Sequence, residues 1–218
     1  MNPLNPIRIL PFTVALFLHG CASSAPPMQD GVLDCEGLTR LAGTGLGGIC
    51  IQESITGSYR EAMLDEIEYG FRPVGTSSSS SYVGREAGTR YPVGPQQKTE
   101  LKSLAVEAFD TALGDLGLAR SSAAGAGVLR VRGQILDVLL EVPEDPDSGA
   151  KYLFDRIGRA TIVVELYDSE AKAVLLRAFD HRETAPLSAD ADAAPSQMAA
   201  IAGLWQAVLT ESMRQLLN

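Results

Sequence analysis

Ala160-Thr161-Ile162-Val163-Val164-Glu165-Leu166-Tyr167-Asp168 is the stretch on which the fold turns. It places Ala160, Ile162, Val164 and Leu166 on one face, the two-residue period of a strand with a buried side. Val174, Leu176 and Ala178 continue the same alternation, so Asp168 to Lys172 reads as a short hairpin connection. Upstream, Leu129, Val131, Gly133 and Ile135 alternate with Arg130, Arg132 and Gln134 in a third run, Val128 to Val142. From Leu136 to Leu140 only Asp137 is polar, a change of pattern that a bulge, or burial on both faces near the strand's end, would explain. Earlier still, Glu66 to Val74 sets Ile67, Tyr69 and Phe71 on one face and stops near Pro73, which suits a strand end or an edge.

Two helical patterns complete the layout. Leu101, Leu104, Ala105, Ala108, Phe109, Ala112, Leu113 and Leu116 recur at three- and four-residue steps, with Thr99 as N-cap and Gly117 as stop. Ile201, Leu204, Trp205, Val208, Leu209 and Leu216 form the apolar stripe of a closing helix. The order β-α-β-β-β-α predicts an α+β fold, a mainly antiparallel sheet of about four strands with both helices packed on one face.

The N-terminal part reads differently. Ile9 to Leu18 is a short apolar run behind a single basic residue, Arg8, and it ends in Leu18-His19-Gly20-Cys21. This is the layout of a cleavable export signal. About 18 apolar residues are needed to span a bilayer as a helix, and this run has roughly half that number and contains Pro11. Gly20 before Cys21 resembles the bacterial lipobox, which implies cleavage at Cys21, a thioether-linked diacylglycerol and an acylated amine. Several acyl chains hold a soluble domain on a bilayer where one would not. Ala22 stands where aspartate would favour inner-membrane retention, so the expectation is the outer membrane, facing the periplasm. The alternative is an ordinary secretory signal with a chance cysteine.

These readings divide the chain into a signal peptide (1–20), a tether (21–34), a glycine-rich segment (35–59) and the α+β domain (60–218). Cys35 and Cys50 are a candidate disulfide, since an exported chain meets an oxidising compartment. The other possibility is two unpaired thiols. With 18 basic against 27 acidic side chains, the net charge of -9 repels phosphate backbones and anionic headgroups. Nucleic acid is therefore not an expected partner.

Several motifs invite a chemical role. Gly43-Thr44-Gly45-Leu46-Gly47-Gly48 matches G-x-G-x-x-G, but a dinucleotide site needs a strand before it and a helix after it, and a glycine-rich loop is the simpler reading. His181 sits between Asp180 and Arg182 and lacks a serine elbow; a surface histidine paired with a nearby carboxylate accounts for it. Glu144, Asp145 and Asp147 lie in an acidic loop whose spacing does not match a calcium-binding hand. Zinc would need more ligands than the chain groups together. Arg130 and Arg132, with Arg159 at the entrance to the next strand, are candidates for a basic contact patch for a ligand or partner; surface pairing with acidic neighbours is the alternative. No cofactor, metal or catalytic residue is expected.

Three segments carry a family likeness: Gly127 to Ile135, Gly158 to Asp168 and Ala173 to Arg177. Together with Cys21 they resemble the bacterial lipoprotein family known as domain of unknown function 3313. The likeness spans roughly residues 60 to 217 and includes the Glu165-Leu166-Tyr167-Asp168-Ser169-Glu170 hairpin. It implies a lipid-anchored envelope protein and brings no catalytic residues. The functional expectation is a non-catalytic domain that binds another envelope component. An envelope hydrolase built around His181, or a carrier of a small ligand or lipid, is the alternative.

Overall fold

The computed structural model describes residues 28–29, 32–33, 35–53, 55, 58–73, 92–140, 158–184 and 196–218. Cys21, the serine run 77–81 and the acidic loop with Glu144, Asp145 and Asp147 lie outside them. Among the described residues, nine strands and two helices follow in chain order: β1 (Met28–Gln29), β2 (Val32–Leu33), β3 (Thr39–Leu41), β4 (Gly48–Ile51), β5 (Glu61–Phe71), α1 (Pro95–Leu116), β6 (Ala119–Arg120), β7 (Val128–Leu140), β8 (Gly158–Asp168), β9 (Val174–Glu183) and α2 (Gln197–Leu217). β1 and β2 pair with each other inside the segment expected to be a tether.

The remaining strands form one seven-stranded sheet in the order β3-β4-β9-β8-β7-β5-β6. The α+β class and the two helices are as expected, whereas the sheet of about four strands is corrected to seven. It is also mixed: β3 to β7 pair antiparallel through β4, β9 and β8, while β5 runs parallel to both β7 and β6. The reason is the connection. A strand that leaves through a helix as long as α1 can return in its original direction, as β7 does beside β5, whereas the β8–β9 hairpin, closed by a tight turn, reverses. β3 and β4 were missed because the 35–59 segment is short on strand-length apolar runs.

Register bears out the alternation on which the reading rests. Val131 lies opposite Leu166, Ile135 opposite Ile162 and Val164 opposite Ala178, all fully buried. The change of pattern in β7 is a bulge between Leu136 and Leu139, with Asp137 at φ 54. α1 begins at Pro95 and not after Thr99: Pro95 occupies the first turn, where a missing N–H costs nothing, and the Gln97 side chain accepts from the Gly94 N–H at 2.8 Å. Thr99 instead donates to the Pro95 carbonyl at 3.1 Å. The stop at Gly117 is as expected, at φ 68. In α2, Ser196 caps by accepting from the Ala199 N–H at 3.0 Å.

One contact locks the layers together. Trp205 is fully buried, donates from Nε1 to the Ala105 carbonyl at 3.1 Å, and lies so close over Gly133 that a Cβ there would collide with the indole. The glycine in the middle of β7 thus gives up side-chain packing so that α2 can approach the sheet.

Candidate functional site

The helices cover the sheet face carrying Leu129, Val131, Ile135, Ile162, Val164 and Leu166. The side chains between them point to the opposite face, and there the charged residues collect. Arg130 donates to Asp65 Oδ2 at 2.6 Å, and Arg132 reaches the same oxygen at 3.4 Å. Asp65 can serve both because it is the extra residue of a bulge in β5, between Leu64 and Glu66. Arg132 also donates to the Tyr167 hydroxyl at 3.3 Å, Tyr167 donates to Glu165 Oε2 at 2.6 Å, and Arg177 Nε donates to Glu165 Oε1 at 2.9 Å. Three guanidinium groups and two carboxylates thus form one connected network across β5, β7, β8 and β9.

The network shapes its own protonation. Partial burial works against the Asp65 charge, but the Arg130 guanidinium beside it prevails and holds the carboxyl below its usual range. Burial, together with its bond to Glu165, pushes the Tyr167 hydroxyl up to about 12. The tyrosine therefore stays a neutral donor at any physiological pH.

Of the three expected patch residues, Arg130 and Arg132 come together, already bonded to carboxylates. Arg159 does not join them. It points to the same face but lies six residues along β8 from Glu165, about 20 Å away, where it stands opposite Glu183. Asp65 and Arg177 belong to the network and were missed. The signal for Arg177 was available, since the β8–β9 alternation places it directly opposite Glu165.

The other candidate motifs resolve into structural roles. Gly43 and Gly45 take φ 75 and 72 in the turn between β3 and β4, and the strand β4 follows them in place of the helix a dinucleotide needs. His181 is exposed and its Nδ1 lies 3.1 Å from Thr161 Oγ1. The adjacent Asp180 carboxylate is bonded to Arg182 Nε at 2.6 Å and to the Gly47 N–H at 3.2 Å. Asp168 accepts from the Tyr59 hydroxyl at 2.9 Å and from the N–H groups of Glu170 and Ala171 at 3.0 and 2.6 Å. Those backbone bonds, chiefly from Ala171, depress its pKa and fix the hairpin turn. Ser169 exchanges hydrogen bonds with both backbone groups of Gly125. Among the described residues, no group of three His, Cys, Asp or Glu is placed to hold a metal ion.

Cys35 and Cys50 are joined by a disulfide, with Cα atoms 5.5 Å apart. Cys50 is fully buried and lies opposite Arg177 in the β4–β9 pairing, so the bridge sits beside the arginine network. Two surface grooves lie elsewhere. One of about 340 Å³ is lined by Gly37, Leu38, Thr39, Gln52 and Glu53, and one of about 460 Å³ lies over α2 at Gly203, Ala207 and Thr210.

No family model matches the chain. No curated protein matches it. Solved structures similar to it include the PelC dodecamer from Paraburkholderia phytofirmans, with 12% identity over 70% of this chain and 88% of that one, at a TM-score of 0.39. They also include a Xanthomonas campestris protein of the family DUF330, with 14% identity over 73% of this chain and 84% of that one, at a TM-score of 0.33. What stands is a similarity to bacterial proteins, one of them from a family of unknown function, without a match to domain of unknown function 3313.

Proposed function

We propose that this chain is a lipid-anchored lipoprotein of the bacterial cell envelope, akin to domain of unknown function 3313. Its α+β domain faces the periplasm from the outer membrane and works without catalysis, by binding another envelope component. The observation that carries this reading is the Cys35–Cys50 disulfide, a bridge that persists in an oxidising compartment, close behind the Leu18-His19-Gly20-Cys21 motif. No helix of the described residues is long and apolar enough to cross a membrane; the attachment in this reading is the lipid on Cys21. The open sheet face supports a binding role, because its charged side chains are held by one another in a fixed array.

The test is the intact mass of the protein extracted from membranes of its native host without reductant. The expected species starts at Cys21, carries added acyl mass and is lighter by the two hydrogens of one disulfide. An unmodified chain retaining Met1 to Gly20 in the soluble fraction overturns the proposal.

A further inference from the structure

β5 is a long strand with an open side. Its inner side pairs with β7 along nearly its whole length, but its outer side meets β6 at Glu61 and Ala62 alone. From Met63 to Phe71 no described strand pairs with that outer side. An edge of this length presents a row of unsatisfied N–H and C=O groups, the template for an added strand.

The side chains along this edge divide sharply. Towards the helices stand Leu64, Ile67, Tyr69 and Phe71, all only partly buried, in contrast to the fully buried Val131, Ile135, Ile162 and Val164 of the inner strands. Towards the open face stand Glu66 and Glu68, both exposed. Asp65 beside them is neutralised by Arg130, while Glu68 takes only a neutral hydrogen bond, from Gln134 at 2.7 Å. Neither Glu66 nor Glu68 has an ion pair among the described residues.

We infer that the Met63–Phe71 edge of β5 is a strand-addition site for an extended segment of a partner protein that alternates basic with apolar side chains. Main-chain hydrogen bonds to the edge supply the attachment. Basic residues facing Glu66 and Glu68 on one side, and an apolar residue against Ile67 on the other, where Lys102 and Lys98 of α1 already lie over the Tyr69 and Phe71 rings, supply the selection. A second copy of this chain is a poor occupant. Antiparallel pairing over the full edge, centred on Ile67, would set Glu66 of each copy opposite Glu68 of the other, and like charges directly opposite destabilise a pair. This inference rests on the reading that the domain binds another envelope component, and it names where and by what chemistry.

The experiment uses the full-length protein in detergent and a short peptide alternating lysine and valine, with binding followed by fluorescence anisotropy at low salt. Binding is expected, weakened about tenfold by Glu66→Lys with Glu68→Lys, and the same double variant should prefer a glutamate–valine peptide. N-methylation of alternate peptide residues removes the donors facing the edge while leaving every charge, and should abolish binding. Binding that survives N-methylation, absence of binding, or a concentration-dependent dimer that strengthens when the wild type is mixed with the double lysine variant, which sets Glu opposite Lys, each overturns the proposal. If photo-crosslinking in the native envelope then captures a partner from the outer face of α2 and not from Glu66, the edge fails while the broader binding reading stands. Capture from neither surface sinks both.

Discussion

Asp65 shows how one residue can decide the character of a surface. Its carboxylate accepts from Arg130 and Arg132, and without it both guanidinium groups on the open face would lack their shared counter-charge. Because Arg130 holds the folded-state pKa below the ordinary 3.8, the native state binds fewer protons than the unfolded chain in this range. The stabilisation is therefore complete above about pH 4 and is lost as pH falls through the depressed folded value. Asp65→Asn should lower stability at neutral pH and also flatten the acid limb of the stability curve, since one linked proton is gone. Urea denaturation from pH 3 to pH 6 checks this; an acid limb as steep as that of the wild type would show that Asp65 does not titrate against its arginines. Asp168, depressed by backbone donors, adds an acid sensitivity of the same sign that Asp65→Asn leaves in place. None of this was legible at Asp65, because the bulge that turns it towards the arginines leaves no periodic trace.

At the scale of elements, the docking of α2 on β7 concentrates at Gly133. A strand glycine ordinarily weakens its sheet, yet here the space above it is filled by the buried Trp205 indole. Gly133→Ala should cost about 1–3 kcal/mol, the usual penalty for overpacking a close-packed layer. The measurement is the denaturation midpoint, which should fall with the slope unchanged, since the surface exposed on unfolding stays the same. A midpoint equal to the wild type would mean that the indole can slide and that the helix is not seated there. Both partners were visible in the sequence, Gly133 as a member of the apolar face and Trp205 as the anchor of the last helix, but nothing linear connects them. The same holds for the start of α1. Thr99 fits the N-cap pattern, and Pro95 fits the first turn equally well; the Gln97 side chain bonded to the Gly94 N–H settles the choice.

For the whole molecule, the strands with alternating faces and the two helical stripes were legible, because burial on one side imposes a period. The parallel placement of β5 and the membership of β3 and β4 were not, since they depend on which edges meet after the chain has crossed the sheet. The consequence is greatest for residues 35–59, which read as a segment of their own. In the structure its strands β3 and β4 form one end of the seven-stranded sheet, with Cys50 fully buried against β9 and Ile49 inside the common core. A disulfide confined to an independent flap would leave the stability of the domain untouched. One that closes a loop onto the sheet restricts the unfolded chain and should stabilise the whole. For the separation of 15 residues between Cys35 and Cys50, loop-closure entropy gives about 3 kcal/mol. Replacing both cysteines by alanine should therefore lower the global unfolding free energy by about that amount while keeping a single transition. Fluorescence of Trp205, remote from the bridge, and far-ultraviolet circular dichroism should lose signal together. If the tryptophan transition stays where it was while the dichroism splits into two steps, β3 and β4 unfold on their own and the sheet is cooperative only from β9 to β6.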